Sequence, residues 1–374
     1  MEKHKKHQDL TRKTLGTFGH NEVAILGSGC QVITNLASEL AKILHEKYKM
    51  AYVDASHKEG LEAPVLADFT FHNSGNYIER SLQKMNPYNE KIRFSQYDFL
   101  FVNGNHYQAE QQILILDRAK EASVLKRLDQ LTNVRFLIKT EKDLEVFDFL
   151  AERYPGIKNL LCYSIDETEK IAAHIERMIL QKIAPVQGLV LAGGKSSRMG
   201  TDKGLLDFHG LEQRRHLVKL LEDCNLNTYL SVRAEQNIKD SEVVEDVFLG
   251  LGPFGAICSA FQKDPNKAWL VVATDLPFVE RYVIDLLLQH RNPKKIATAL
   301  KGKDKNFPEP LIIIWEPKAY PVLLQYLALG ISCPRKVLIN NDVEIIEVEE
   351  KWITNVNTPE EYKQVKEKIK SKKA

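Results

Sequence analysis

Short apolar, β-branched runs alternate with stretches of helical period along most of the chain, and that alternation restricts the fold more than any other feature. Val23–Leu26, Met50–Val53, Phe99–Val102, Val134–Ile138 and Leu160–Ile165 are too short for helices and predict strands buried on both faces. Between the first two, Ile33, Leu36, Ala37, Leu40 and Leu44 recur on one helical face. Buried strands joined through amphipathic helices predict a parallel α/β sheet. Asp166 and Glu169 have capping-box spacing and predict a helix ending near Gln181. The pattern stops across Lys182–Gln187, which holds Pro185, and then starts again. Gly188–Leu191, Thr228–Val232, Trp269–Ala273, Ile296–Leu300, Leu311–Trp315 and Val343–Val348 are the second set of expected strands. Thr358-Pro359-Glu360-Glu361 supplies a cap, a proline in the first turn and a glutamate at the third position, so a terminal helix is expected there.

A chain of 374 residues is longer than one hydrophobic core usually serves, and the interrupted pattern predicts two domains. The expected division is an extension over 1–20, a first domain over 21–181 and a second over 186–374, both Rossmann-like three-layer α/β domains with mostly parallel sheets. A formal net charge of +2 gives no field for gripping a nucleic-acid backbone, so no nucleic-acid partner is expected. No run approaches a membrane-spanning length and residues 1–20 lack an apolar leader, which predicts a cytoplasmic protein with no membrane partner. The five cysteines are far apart, with no C-x-x-C pair, and read as free thiols rather than a zinc site.

The segment Leu191-Ala-Gly-Gly-Lys-Ser-Ser-Arg-Met-Gly-Thr-Asp-Lys203 follows an expected strand and combines three glycines with Lys195, Arg198 and Lys203. Glycines let a backbone turn sharply and approach a ligand, exposed N–H groups make an anion nest, and the cations offset charge that moves onto a leaving phosphate. That chemistry suits a triphosphate.

The full string resembles the signature of the MobA-type nucleotidyltransferases, which include the molybdenum cofactor guanylyltransferases. Further motifs stand in the family's order over about 186–361. Asp246 precedes Gly252-Pro-Phe-Gly255, Ala273-Thr-Asp-Leu-Pro277 places Asp275 at a strand end, and Asn355-Val-Asn-Thr-Pro359 is similar to a late N-x-N-T-P motif. The resemblance implies a fold of the nucleotide-diphospho-sugar transferase type. It implies that GTP is bound by Leu191, Ala192, Gly193, Gly194, Lys203, Asp246, Gly252, Asn355 and Asn357, with Arg198, Lys203 and Asp275 catalytic and Asp275 holding Mg²⁺. The implied reaction moves GMP from GTP to molybdopterin and releases pyrophosphate, with molybdoenzymes or cofactor chaperones as further partners. CTP in place of GTP, another phosphorylated acceptor, and a non-catalytic carrier role for the N-terminal half stay open. On the acceptor side Phe307-Pro-Glu-Pro-Leu311 departs from the His-Pro-Leu of many relatives, with Glu309 in a related place, and Arg335 and Lys336 are candidate phosphate cations.

In the first domain, Gly27 through Thr34 has the spacing of G-x-x-x-x-G-K-S/T between a strand and a helix. Val32 stands where the second glycine belongs and Ile33 where the lysine belongs, so neither the backbone cradle nor the phosphate cation is present. The segment is similar to a degenerate MobB-type phosphate-loop domain, and no hydrolytic activity is expected of it. Ile33 shares the apolar helix face and is expected in the core. Asp54, His57, Asn103 and His106 follow strands and are candidate ligand contacts.

Overall fold

Among the described residues of the first half, eight strands form: β1 Glu22–Leu26, β2 Met50–Val53, β3 Asp68–Phe71, β4 Tyr77–Arg80, β5 Phe99–Asn103, β6 Gln111–Leu116, β7 Val134–Lys139 and β8 Cys162–Ser164. The computed structural model describes residues 10–56, 67–73, 76–80, 84–193, 202–236, 238 and 241–373. Six of the eight strands pair in parallel in the order β2-β5-β1-β6-β7-β8, while β3 and β4 make a separate antiparallel hairpin. Along β6, Ile113 and Ile115 enter one core with Ile33, Leu40 and Ile175, and Leu114 and Leu116 enter the other with Leu137, Leu150 and Ile157. That alternation is the period of two along a strand, and it makes the unit three-layered. β6 was not expected from the sequence, because its apolar run is entered through Gln111 and Gln112. Both are buried, and Gln112 is satisfied by the Ala109 carbonyl at 2.8 Å and the Asn133 N–H at 2.6 Å.

The helix expected after Asp166 spans Thr168–Gln181, with Glu167 and not Asp166 at the N-cap position. The carboxylate of Glu167 instead accepts the Ser164 N–H at 2.8 Å and caps no N–H of the helix, so the expected box does not form. Glu22 is fully buried inside β1, where its carboxylate receives the N–H groups of Thr17, Phe18, Gly19 and Glu110 at 2.7–3.1 Å. Four donors make tolerable a burial that would otherwise be costly.

The second half builds β9 Val186–Leu191, β10 Thr228–Val232, β11 Val243–Glu245, β12 Ala268–Ala273, β13 Ala297–Gly302, β14 Ile312–Trp315 and β15 Glu344–Val348, in the order β11-β10-β9-β12-β14-β13-β15. This sheet is mixed: β14 runs antiparallel to β12 and β13, and every other pair is parallel. Leu270 and Val272 face one core, Trp269 and Val271 the other. The terminal helix Pro359–Lys373 begins with the expected box: Glu361 N–H donates to Thr358 Oγ1 at 3.2 Å, and Thr358 N–H returns to Glu361 Oε2 at 3.2 Å.

The chain divides into two units, Leu15–Lys182 and a second that joins the described residues 10–14 to those from Ile183 onward. Residues 12–14 act as a strap on the second unit. Thr14 N–H donates to Asn266 Oδ1 at 2.7 Å, Asn266 Nδ2 donates to the Arg12 carbonyl at 3.0 Å, and Lys13 Nζ donates to the Pro317 carbonyl at 3.4 Å. Burial, then the charge of Lys318, pushes the Lys13 ammonium down to about 8. Also within the second unit, Arg291 meets Glu316 in a bidentate pair of 2.7 and 2.8 Å and donates to the Ala184 carbonyl at 2.7 Å, fixing the approach to β9. Among the described residues no helix is long and apolar enough to cross a membrane.

Candidate functional site

In an open α/β sheet the carboxyl ends of the strands form the ligand crevice. A cavity of about 230 Å³ opens there in the second unit. β9 contributes Leu191 and the following Gly193, β10 contributes Ser231, and β12 contributes Ala273 followed by Thr274 and Asp275. Asp202, Lys203, Asp246 and Gly252 also stand in the walls, with Pro253, Ala256 and Leu311. Six residues expected at the nucleotide are therefore brought together: Leu191, Gly193, Lys203, Asp246, Gly252 and Asp275. Gly194 and Arg198 lie outside the described residues, as does Lys195.

Each lining group has a local cause. A Cβ on Gly193 would stand 3.2 Å from Asp246 Oδ2, so the absence of a side chain keeps this wall open. Gly252 has φ of 56°, a conformation that favours glycine, and caps the helix Pro253–Lys263. Asp246 accepts the Ser231 hydroxyl at 2.9 Å; burial pushes its carboxyl above the usual range, against the opposing effects of Ser231 and the Arg233 charge. Ala192 is 2% exposed and does not line the cavity; its N–H goes to the Ser231 carbonyl and its carbonyl accepts Gln236 Nε2 at 2.9 Å. It fixes the turn out of β9.

Lys203 begins a short 3₁₀ turn whose cap is Asp202, with the Asp202 carboxylate accepting Gly204 N–H at 2.9 Å. Its ammonium bridges two segments far apart in sequence: Nζ lies 3.3 Å from Asp275 Oδ2 and 2.8 Å from Asn357 Oδ1. The loop carrying Asn355 and Asn357 is tied to the same place, because Val356 N–H donates to the Asp275 carbonyl at 2.8 Å. Asp275 Oδ1 and Asn355 Oδ1 are both buried without a hydrogen-bond partner. Such oxygens are what a hard cation takes. No group of three or more His, Cys, Asp or Glu side chains forms a metal cage among the described residues. The Asp275 and Asn355 oxygens are of the kind that fits Mg²⁺, which uses one or two carboxylates and completes its shell with water and phosphate oxygens.

Glu309 is not among the cavity's lining residues; it is 8% exposed, and its carboxyl is pushed up by burial and by the Asp275 charge, while Arg335, 3.9 Å away, pulls it down. Asp202 and Ser231 were not among the residues expected at the site. Asp202 stands inside the glycine-rich string, next to Lys203, and its capping role was the available signal.

At the strand ends of the first sheet, the broken loop has structural work in place of phosphate work. Gly27 has φ of 97°, and a Cβ there would meet the Ile115 carbonyl oxygen at 2.1 Å, so this glycine serves the packing of β1 on β6. Ile33 is fully buried on the helix Cys30–Leu44 with Leu36, Ala37, Leu40 and Leu44, as its periodicity predicts. Thr34 Oγ1 bonds the Cys30 carbonyl and lies 3.0 Å from the Tyr52 hydroxyl. His57 lies outside the described residues.

Residues 188–343 match the model of the MobA-like NTP transferase domain. A probable molybdenum cofactor guanylyltransferase of Carboxydothermus hydrogenoformans is 31% identical over 186 residues, which are 47% of this chain and 92% of that protein. The chain belongs to the MobA-like NTP transferases. A molybdenum cofactor biosynthesis bifunctional protein of Synechocystis sp. is likewise 31% identical over 186 residues, 48% of this chain. The chain spans 54%, about half, of that relative's length. The crystal structure of molybdopterin-guanine dinucleotide biosynthesis protein A from Archaeoglobus fulgidus is 22% identical, with a TM-score of 0.43, over 50% of this chain and 99% of that one. The MobA-like match contains Leu191, Lys203, Asp246, Gly252 and Asp275 and stops before Asn355 and Asn357. Asn357 meets the site through its bond to Lys203, and Asn355 stands on the loop that Val356 ties to Asp275.

Proposed function

We propose that the MobA-like unit transfers the GMP group of GTP to the terminal phosphate of molybdopterin, with release of pyrophosphate, in the making of the molybdenum cofactor. The observation that carries this reading is Lys203 held between Asp275 and Asn357 beside the unpartnered Asp275 Oδ1. A cation and an anion stand together in one cavity, ready to exchange each other for a phosphate and a metal. The names of the relatives support guanosine as the nucleoside.

An acceptor phosphate is already anionic at neutral pH, so the chain needs no general base to create the nucleophile; positioning and charge stabilisation suffice. Lys203 leaves Asp275 for the triphosphate and offsets the charge that develops on pyrophosphate. Leu191, Gly193, Asp246 and Gly252 bound the nucleotide. Asp275 and Asn355 would hold Mg²⁺, which supplies charge neutralisation of the phosphates when bound. Arg198 is assigned to the triphosphate on the motif alone. Arg335, next to Glu309, is the cation we assign to the acceptor phosphate. Protein incubated with equal GTP, CTP and ATP and with Mg²⁺ should retain GTP selectively, and molybdopterin should then trigger pyrophosphate release. Retention of CTP, or no release with any nucleotide, would reject this reading.

For the first unit we propose a degenerate MobB-like domain without nucleotide hydrolysis, inside a cytoplasmic enzyme that hands its product to molybdoenzymes or their chaperones. The core position of Ile33 supports this. In full-length protein carrying Lys203→Ala and Asp275→Asn, phosphate release from GTP or ATP should stay at the blank level. Adding Ile33→Lys should not restore it, since Val32 still crowds the cradle and the new charge is buried. Robust hydrolysis in the first of these proteins would make the unit an enzyme in its own right.

A further inference from the structure

Where a phosphate loop would stand in the first unit, the chain places a thiol against an imidazole. Cys30 opens the helix Cys30–Leu44 directly after Gly29, whose backbone is extended and which provides no side-chain cap. Cys30 Sγ lies 3.3 Å from Nε2 of His106, on the loop after β5. The same nitrogen lies 3.6 Å from Oδ1 of Asp54, the residue after β2. Three strand ends thus deliver a nucleophile, a proton acceptor and an anion to one spot.

Two further features distinguish this cluster from a cysteine that happens to meet a histidine. Asp54 is held ionised: burial works against its charge, but the Asn103 amide, the Ala55 N–H, the Tyr52 hydroxyl and His106 together bring its carboxyl below the usual range. Asn103 is fully buried, and its amide is spent on Tyr52 and Asp54, which keeps the carboxylate at the cluster. Cys30 is only partly buried, so a small molecule can reach it.

We propose that this edge of the first unit is a thiol-nucleophile site for a small carbon electrophile with a leaving group. Cys30 Sγ forms the new bond to the electrophilic carbon. The leaving group departs with the electron pair of the bond that breaks, and the thiol proton passes to His106 Nε2. Asp54 steadies the imidazolium so formed. This explains a loop that kept its strand-to-helix context while Val32 and Ile33 lost the phosphate chemistry. It is independent of the reaction proposed for the MobA-like unit.

Iodoacetamide is a suitable probe for full-length protein, because alkylation forms the S–C bond and releases iodide. Peptide mass spectrometry reads each cysteine separately, and the exposed Cys162 and Cys333 are references within the same chain. On access alone Cys30 should react more slowly than either. The expected result is that it reacts about tenfold faster, and that His106→Gln slows it by about tenfold or more while Cys162 and Cys333 keep their rates. Unchanged reference rates also report that the fold is intact, and Asp54→Asn should produce a smaller loss in the same direction. A wild-type Cys30 no faster than the exposed thiols, or a lead that survives His106→Gln, would overturn the proposal.

Discussion

Lys203→Ala is expected to lower pyrophosphate release by about 10²–10³-fold, the scale on which a single preorganised charge acts on a transition state. The unfolding temperature should hardly move. Lys203 and Asp275 side chains are each 17% exposed and line a cavity. Water can therefore replace the missing ammonium at Asp275, and the stability change should stay at about 1 kcal/mol or less. Asp275→Asn should lose turnover on the same scale, because it keeps the shape of the carboxylate while removing the charge. Paired measurements of pyrophosphate release and thermal unfolding decide the matter. Turnover within about threefold of wild type in both variants would remove Lys203 and Asp275 from the chemistry.

The largest stability effect should come from a pair distant from the nucleotide. Glu316 is 1% exposed and is neutralised by the two-pronged contact of Arg291, whose guanidinium also satisfies the Ala184 carbonyl. Arg291→Ala leaves a carboxylate buried without its partner, and about 3–5 kcal/mol of stability should be lost. Replacing both members, as Arg291→Met with Glu316→Leu, should recover most of that loss, since well-packed apolar groups often substitute for a buried ion pair. Denaturant unfolding of the three proteins gives the comparison. A single variant within about 1 kcal/mol of wild type would mean that water reaches Glu316 once the arginine is gone.

How far the fold was legible depended on what each segment's neighbours demand of it. Met50–Val53 and Thr228–Val232 were placed to the residue because apolar runs bounded by turn residues have few alternatives. The direction of β14 was hidden, since Ile-Ile-Ile-Trp buried on both faces reads alike in either sense. The site was legible where motif residues meet through the sheet, as Gly193, Asp246 and Asp275 do. It was illegible where a residue works through a neighbour: Ser231 orients Asp246 with a hydroxyl that any strand end might carry. Cys30 and His106 lie 76 positions apart, and only the parallel pairing of β1 with β5 brings their loops together.

The strap formed by residues 12–14 has a consequence for the order in which the chain is made. Thr14 leaves the ribosome long before its partner Asn266, which follows 252 residues later. At about 5–20 residues per second, the strap waits on the order of 10–50 s for the surface it binds. Everything in Leu15–Lys182 is synthesised during that interval. Folding of that stretch in the meantime removes most of the flexible loop whose closure the strap would otherwise have to complete. Rapid translation, or a mutation that delays the first unit, should therefore show first as an enzyme whose second unit is folded but whose N-terminal residues are open to protease.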